Sequence, residues 1–193
     1  CMHPQIIPTM RQIITATHDT LDLLQYIMDS AEIFPLLERA IATRGVCIRI
    51  CMDRDKFYRP SSATQSQRLR NLAQLADAAG KRHCLQVRVL KPTFWGSGGY
   101  NSLHSKQLVA DCSLVLDGSA NVTNQMAKNF ETVTVSRIAK CVDVAIQAFS
   151  MAWDAGMPVT FEQLLELDIA RAGSQARSAS RSASIARDRV HVA

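Results

Sequence analysis

Near-continuous apolar runs alternate with amphipathic stretches along most of the chain. "TLDLLQYIMD" (Thr20 to Asp29) predicts a buried strand, and it follows a short helical stretch over Thr9 to His18. "AEIFPLLERAIATRG" predicts a helix. Ser30 or Asp29 can cap it, Leu36, Leu37, Ala40 and Ile41 form its apolar face, and Gly45 stops it. Pro35 fits only near the start of that helix. "VCIRICMD" is the next strand, "QSQRLRNLAQLADAAG" an amphipathic helix ending at Gly80, and "CLQVRVLK" a further strand. Strand, helix, strand, helix, strand with short connections predicts an α/β fold in which helices flank a sheet. Later, "FETVTVSR" reads as a strand and "IAKCVDVAIQAFSMAWDAG" as a helix closing at Gly156.

Beyond that helix the apolar pattern fades. Thr160 to Gln163 has the form of a capping box that opens a short helix. The organisation is therefore one domain over residues 1–158, a short helix over 159–173, and a tail over 174–193. The tail repeats Arg, Ser and Ala, offers almost nothing to bury, and reads as a disordered basic segment.

Composition narrows the picture. The chain has 193 residues, 47% of them hydrophobic, which suits one soluble globular domain with an appendage. No apolar run approaches the roughly 18 residues that a membrane span needs. Cys1, Cys47, Cys51, Cys84, Cys112 and Cys141 contain no C-x-x-C pair, and most lie in apolar stretches. They predict buried free thiols in an intracellular protein, cytoplasmic or mitochondrial. A zinc site built from Cys47, Cys51, His83 and Cys84 would match no common finger spacing.

The net charge of +5 is unevenly spread. From Arg171 onward the balance is +4, so the preceding 170 residues carry only +1. Within them, Arg44 to Lys91 holds eleven basic residues against Asp53, Asp55 and Asp77. A basic middle suits an anionic partner such as a phosphate, a nucleic acid or a lipid head group, although a solvated basic surface has the same composition.

The candidate chemistry lies in "LHSKQLVADCSLVLDGSANVTNQ", Leu103 to Gln125. Leu103 to Leu108 alternates as a half-buried strand would, which puts His104 and Lys106 on one face. Ser113 to Leu116 can form a second strand, with Asp111 and Cys112 as a two-residue turn. In that register His104 faces Ser119, Lys106 faces Asp117, and Asn121 falls beside the histidine. An imidazole, an ammonium, a hydroxyl and a carboxamide converging at one hairpin end suit a tetrahedral phosphate. The imidazole can attack phosphorus while the other groups hold the non-bridging oxygens. No cluster of Asp and Glu surrounds the motif, so no metal or other cofactor is implied.

These residues fit H-x-K-x4-D-x6-G-S-x-N at every fixed position, and the sequence resembles the phospholipase D superfamily. "KNFE" (Lys128 to Glu131) resembles the K-N-x-E segment that follows the motif in one-motif members. "LDLLQYIMDSAEIFPLLERAIATRGVCIRICMD" resembles their upstream strand–helix–strand and "AFSMAW" their closing helix. The resemblance covers roughly residues 5 to 155. It implies a mixed sheet flanked by helices, and it assigns roles residue by residue. His104 would be the nucleophile that becomes a phosphohistidine. Lys106 and Asn121 would bind phosphate oxygens, with Ser119 assisting. Glu131 would orient the imidazole through its second nitrogen. Gly118 would let the backbone pass close to the site, and Asp111 would be structural.

The reaction implied by the resemblance needs two histidines, and only His104 is followed by x-Lys among His3, His18, His83, His104 and His191. A twofold homodimer would supply the second imidazole, because an isologous contact sets identical groups face to face. The resulting expectation is a metal-independent phosphodiesterase acting on a phospholipid such as cardiolipin or on nucleic acid. One-motif relatives include bacterial endonucleases and mitochondrial cardiolipin hydrolases; membrane association would need a segment outside this sequence. The alternatives are a phosphate- or nucleic-acid-binding scaffold without turnover, and half of a longer two-motif enzyme. "DGSAN" lacks the elbow of a serine hydrolase, and "WGSGGYNS" fits neither the Walker nor the dinucleotide pattern. That glycine-rich stretch is expected to form a loop leading to His104, with Trp95 and Tyr100 able to stack on a base or dip into lipid.

Overall fold

The computed structural model describes residues 5–59, 63–92, 102–160 and 162–163. Helix α1 (Ile6–Ala16) buries Ile6, Met10, Ile13 and Ile14 and leads into strand β1 (Thr20–Gln25). Helix α2 (Phe34–Arg39) starts beside Pro35, where a missing N–H costs nothing, and continues as a π-helical turn over Ala40–Arg44. Gly45, in the left-handed region at φ 74°, ends it. Strand β2 (Cys47–Asp53) runs straight into the one-turn helix α3 (Arg54–Phe57). Helix α4 (Ala63–Ala78), a turn over Arg82–Cys84 and strand β3 (Leu85–Leu90) follow.

The second half adds β4 (Gln107–Ala110), β5 (Leu114–Gly118), β6 (Val133–Ser136), the long helix α5 (Ala139–Ala155) and the short β7 (Met157–Pro158). All seven strands join one sheet in the order β6-β5-β4-β1-β2-β3-β7. β1, β2 and β3 are parallel, and the other pairings are antiparallel. The architecture is the mixed α/β sheet with flanking helices that the sequence implies.

The two faces of the sheet are filled differently. On one face, residues of α1, α2 and α4 pack with Leu21, Leu23, Ile48, Ile50, Val87, Val89, Leu108 and Leu116 into the main core. On the other, Phe149, Ala152 and Trp153 of α5 meet Leu24 and Cys51, while Val142 and Ala145 meet Val109 and Val115. A charged pair lies within that second face. Arg49 donates to both carboxylate oxygens of Asp22, at 2.7 and 2.6 Å, and its guanidinium covers the rings of Phe149 and Trp153. Asp22 is buried, so the bidentate bonds offset a carboxylate that would otherwise be costly to desolvate.

Several basic residues of the middle segment are therefore structural. Arg44 donates to the carbonyls of Thr15 and Ile14, Lys81 to that of Ala42, and Arg88 to that of Trp153. Three expectations need correcting. Cys51 and Cys84 are buried, but Cys47, Cys112 and Cys141 are exposed. The strand expected from Leu103 begins only at Gln107, so His104 and Lys106 precede it. The hairpin turn has three residues, Asp111 to Ser113, and Gln107 rather than Lys106 pairs with Asp117.

The capping box forms, with Thr160 N–H donating to Gln163 Oε1 and Gln163 N–H to Thr160 Oγ1. Most of the predicted 159–173 helix, the 174–193 tail, Trp95 and Tyr100 lie outside the described residues. Among the described residues no helix is long and apolar enough to cross a membrane.

Candidate active site

Parallel strands deliver their C-terminal ends to one edge of the sheet, and in open α/β sheets that edge is where ligands bind. Register pairs Gln25 with Met52, so the next residues, Tyr26 and Asp53, leave neighbouring strand ends side by side. Asp53 is buried and bonds in two directions. Its Oδ1 accepts the Lys56 N–H at 2.9 Å and caps α3, while its Oδ2 accepts the Leu103 N–H at 2.8 Å. One carboxylate thus ties the start of α3 to the residue before His104.

His104 is exposed, and its imidazole meets the Tyr26 ring edge to face at 4.9 Å between centroids. Lys106 is 3% exposed and donates from Nζ to the carbonyl of His104 at 2.6 Å. That bond ties a buried ammonium to the backbone that carries an exposed imidazole. Burial lowers the Lys106 pKa from the ordinary lysine value, and the Glu131 charge opposes the shift. Buried Gln25 donates to the Gln107 carbonyl and accepts from Val122 N–H, so it braces the lead-in of β4 against the segment after Asn121.

The remaining motif residues divide into two groups. Asn121 lies half-buried with Oδ1 out of water and without a hydrogen-bond partner; that oxygen is an acceptor, so only the Nδ2 amide of Asn121 could donate to a phosphate oxygen. Ser119 and Glu131 instead bond each other, Oγ donating to Oε2 at 2.5 Å. Ser119 Oγ also accepts the Thr132 N–H, and Asn129 donates to Glu131 Oε1.

Two of these motif residues are thus already engaged with each other. The Ser119 hydroxyl is committed to Glu131 and the start of β6 instead of standing open for a phosphate oxygen. Among the described residues, Glu131 makes no hydrogen bond to its own chain's His104. Gly118 serves the sheet: a Cβ there would lie 2.2 Å from the Thr132 carbonyl oxygen. Asp111 sits in the far turn, where it accepts the N–H groups of His18, Asp19 and Thr20 and so fastens the hairpin to the start of β1.

The other described histidines are far from this edge. His18 precedes β1 and His83 precedes β3, so each lies at the opposite end of a six-residue strand, about 20 Å away. Cys47 and Cys84 lie near that opposite end with their sulfurs 3.6 Å apart. Among the described residues no three His, Cys, Asp or Glu side chains form a group that could hold a metal ion. Tyr26, Asp53 and Gln25 are absent from the motif. Asp53 closes a predicted strand, but Tyr26 lies inside the predicted Thr20 to Asp29 strand, which ends earlier, at Gln25.

The sequence matches the family model described as the cardiolipin synthase, PLD-like domain, over residues 10–153. The chain belongs to the phospholipase D superfamily. Solved structures agree on the fold. The phospholipase D family member Nuc from Salmonella typhimurium is similar at 18% identity and a TM-score of 0.65, over 82% of this chain and 94% of that one. NucT from Helicobacter pylori is similar at 14% identity and a TM-score of 0.67, over 82% of this chain and 96% of that one. The archaeal chromatin protein TrmBL2, described as binding DNA in a novel mode, is similar at 15% identity and a TM-score of 0.54, over 80% of this chain and 51% of that one. No curated protein matches the chain. Phospholipase D membership supports a phosphodiesterase-type activity in general terms.

Proposed function

We propose that the protein is a metal-independent phosphodiesterase that works through a phosphohistidine and completes its site by homodimerisation. The carrying observation is the arrangement of His104 and Lys106: an exposed imidazole whose backbone carbonyl accepts from a buried ammonium. The neutral His104 imidazole attacks phosphorus, the bond to the leaving alcohol breaks, and the second protomer's imidazolium gives that alcohol its proton. Water then attacks the phosphohistidine. The second imidazole takes the water's proton, and the phosphorus–nitrogen bond breaks to return His104. Lys106 and Asn121 hold the non-bridging oxygens as charge grows on them.

The distances support dimerisation. Among the described residues, His18 and His83 lie at the wrong end of the sheet, so a second copy of His104 is the reading's source of the acid. Glu131 then has a natural role. It orients the imidazole that arrives from the other protomer, consistent with its lack of a bond to its own.

The family description points toward cardiolipin, and the likeness to TrmBL2 points toward DNA. The same likeness favours the second reading, a scaffold that binds nucleic acid without turnover. One assay separates the two. The purified protein should hydrolyse bis(p-nitrophenyl) phosphate in EDTA, and His104→Ala should abolish turnover. Dependence on added metal, or full activity of His104→Ala, would contradict the proposal.

A further inference from the structure

Cys47 opens β2, and Cys84 stands one residue before β3. Register pairs Ile48 with Leu85, so carrying it back one step sets the two cysteines opposite each other on neighbouring parallel strands. Residues opposed in this way send their side chains to the same face of the sheet. The outcome is a contact between two thiols, with the sulfurs 3.6 Å apart. Both backbones are pinned. The Cys47 N–H donates to the Asp19 carbonyl at 2.8 Å, and the Cys84 N–H to the Lys81 carbonyl at 2.9 Å. The two thiols differ in access, since Cys47 is exposed and Cys84 is buried. Burial and the adjoining Cys47 sulfur raise the Cys84 pKa above the ordinary thiol value, and the Lys81 charge opposes the shift.

We propose that Cys47 and Cys84 form an oxidation site for a hydroperoxide, which joins them as a disulfide and clamps the start of β2 to the turn before β3. The site lies at the end of the sheet away from His104 and does not depend on the phosphodiesterase reading. The exposed thiol reacts first. Cys47, as its thiolate, attacks a peroxide oxygen, the O–O bond breaks, and the departing alkoxide takes up the proton that the thiol gave. Cys47 is then a sulfenic acid. Cys84 next gives up its proton and attacks the Cys47 sulfur. The S–O bond breaks, and hydroxide leaves with that proton as water. Two thiols have lost two electrons, and the hydroperoxide has become an alcohol and water. The Lys81 charge favours the Cys84 thiolate that this second step needs. Little movement is required. Paired strands lie about 4.8 Å apart, within the roughly 4.4–6.8 Å between Cα atoms that a disulfide spans, so rotation of two side chains closes the gap to about 2.05 Å.

The test treats the reduced full chain with hydrogen peroxide, blocks the remaining thiols with N-ethylmaleimide and maps peptides by mass spectrometry without reductant. A peptide pair linked through Cys47 and Cys84 should appear and should vanish with dithiothreitol. Oxidation should also raise the melting temperature by roughly 5 to 10 °C, because the bond joins residues 37 positions apart. Cys112 and Cys141 are exposed as well and serve as the internal comparison. Both should stay open to N-ethylmaleimide at the dose that links the pair. Cys84→Ala should leave Cys47 as a sulfenic acid that dimedone traps. Cys47→Ser, a change at an exposed position, should leave Cys84 reduced. A wild-type protein that gives the same dimedone adduct and no linked pair overturns the proposal, as does a link that forms only after unfolding in urea. A melting temperature that falls on oxidation also overturns it, since the bond would then form only by distorting the sheet.

Discussion

Three backbone N–H groups, from His18, Asp19 and Thr20, converge on the carboxylate of Asp111. Burial pushes the Asp111 carboxyl up, and the three donors outweigh it, so its pKa lies below the ordinary value. A carboxyl with a depressed folded pKa adds stability that is complete above the unfolded value and is lost as pH falls through the folded one. Asp111→Ala should therefore cost about 2 kcal/mol in urea unfolding at pH 7, and the gap from wild type should narrow as pH falls below the ordinary carboxylate range. A gap that stays the same in acid would show that the carboxylate charge is not what fastens the hairpin. Lys106 is displaced in its own direction, downward, because burial disfavours its ammonium form while the Glu131 charge opposes the shift. Cys51 shows the inert counterpart. Burial pushes its thiol up to about 12, against the opposing charge of Arg88, so it stays protonated in the core.

At the scale of elements, the hairpin β4–β5 and its neighbour β6 decide whether the motif comes together. Gly118 closes β5 opposite Val133, and a Cβ would meet the Thr132 oxygen at 2.2 Å and the Val133 Cα at 2.8 Å. Gly118→Ala should cost about 3 kcal/mol in thermal or chemical unfolding and should lower activity, since Glu131 enters the site from the start of β6. Unchanged stability would mean that β6 can shift without disturbing the site.

Much of this was legible in the sequence. The strands of the parallel half, the stop at Gly45 and the helix α5 follow from apolar pattern and capping alone. The hairpin register was not legible. Asp111 and Cys112 both adopt φ of 49°, and the turn takes in Ser113 as a third residue. A two-residue reading missed this because the Asp111 conformation answers to contacts with β1 across the sheet, not to local turn preference. Tyr26 and Asp53 were hidden for a similar reason. Their importance comes from register between parallel strands, which no local pattern encodes.

At the scale of the whole molecule, the sheet separates structure from chemistry. Arg44, Lys81 and Arg88 hold backbone carbonyls, whereas Tyr26, Lys56, His104 and Lys106 gather at the C-terminal end of β1 and β2. That end has one imidazole among the described residues, and the proposed reaction uses two. Subunit mixing measures this most directly. His104→Ala protein is equilibrated with wild type at increasing proportion, and hydrolysis of bis(p-nitrophenyl) phosphate is followed in EDTA. If each working site takes one imidazole from each protomer, activity follows the square of the wild-type fraction and falls to about one quarter in an equal mixture. A linear fall to one half would show that each chain works alone and would contradict the shared site.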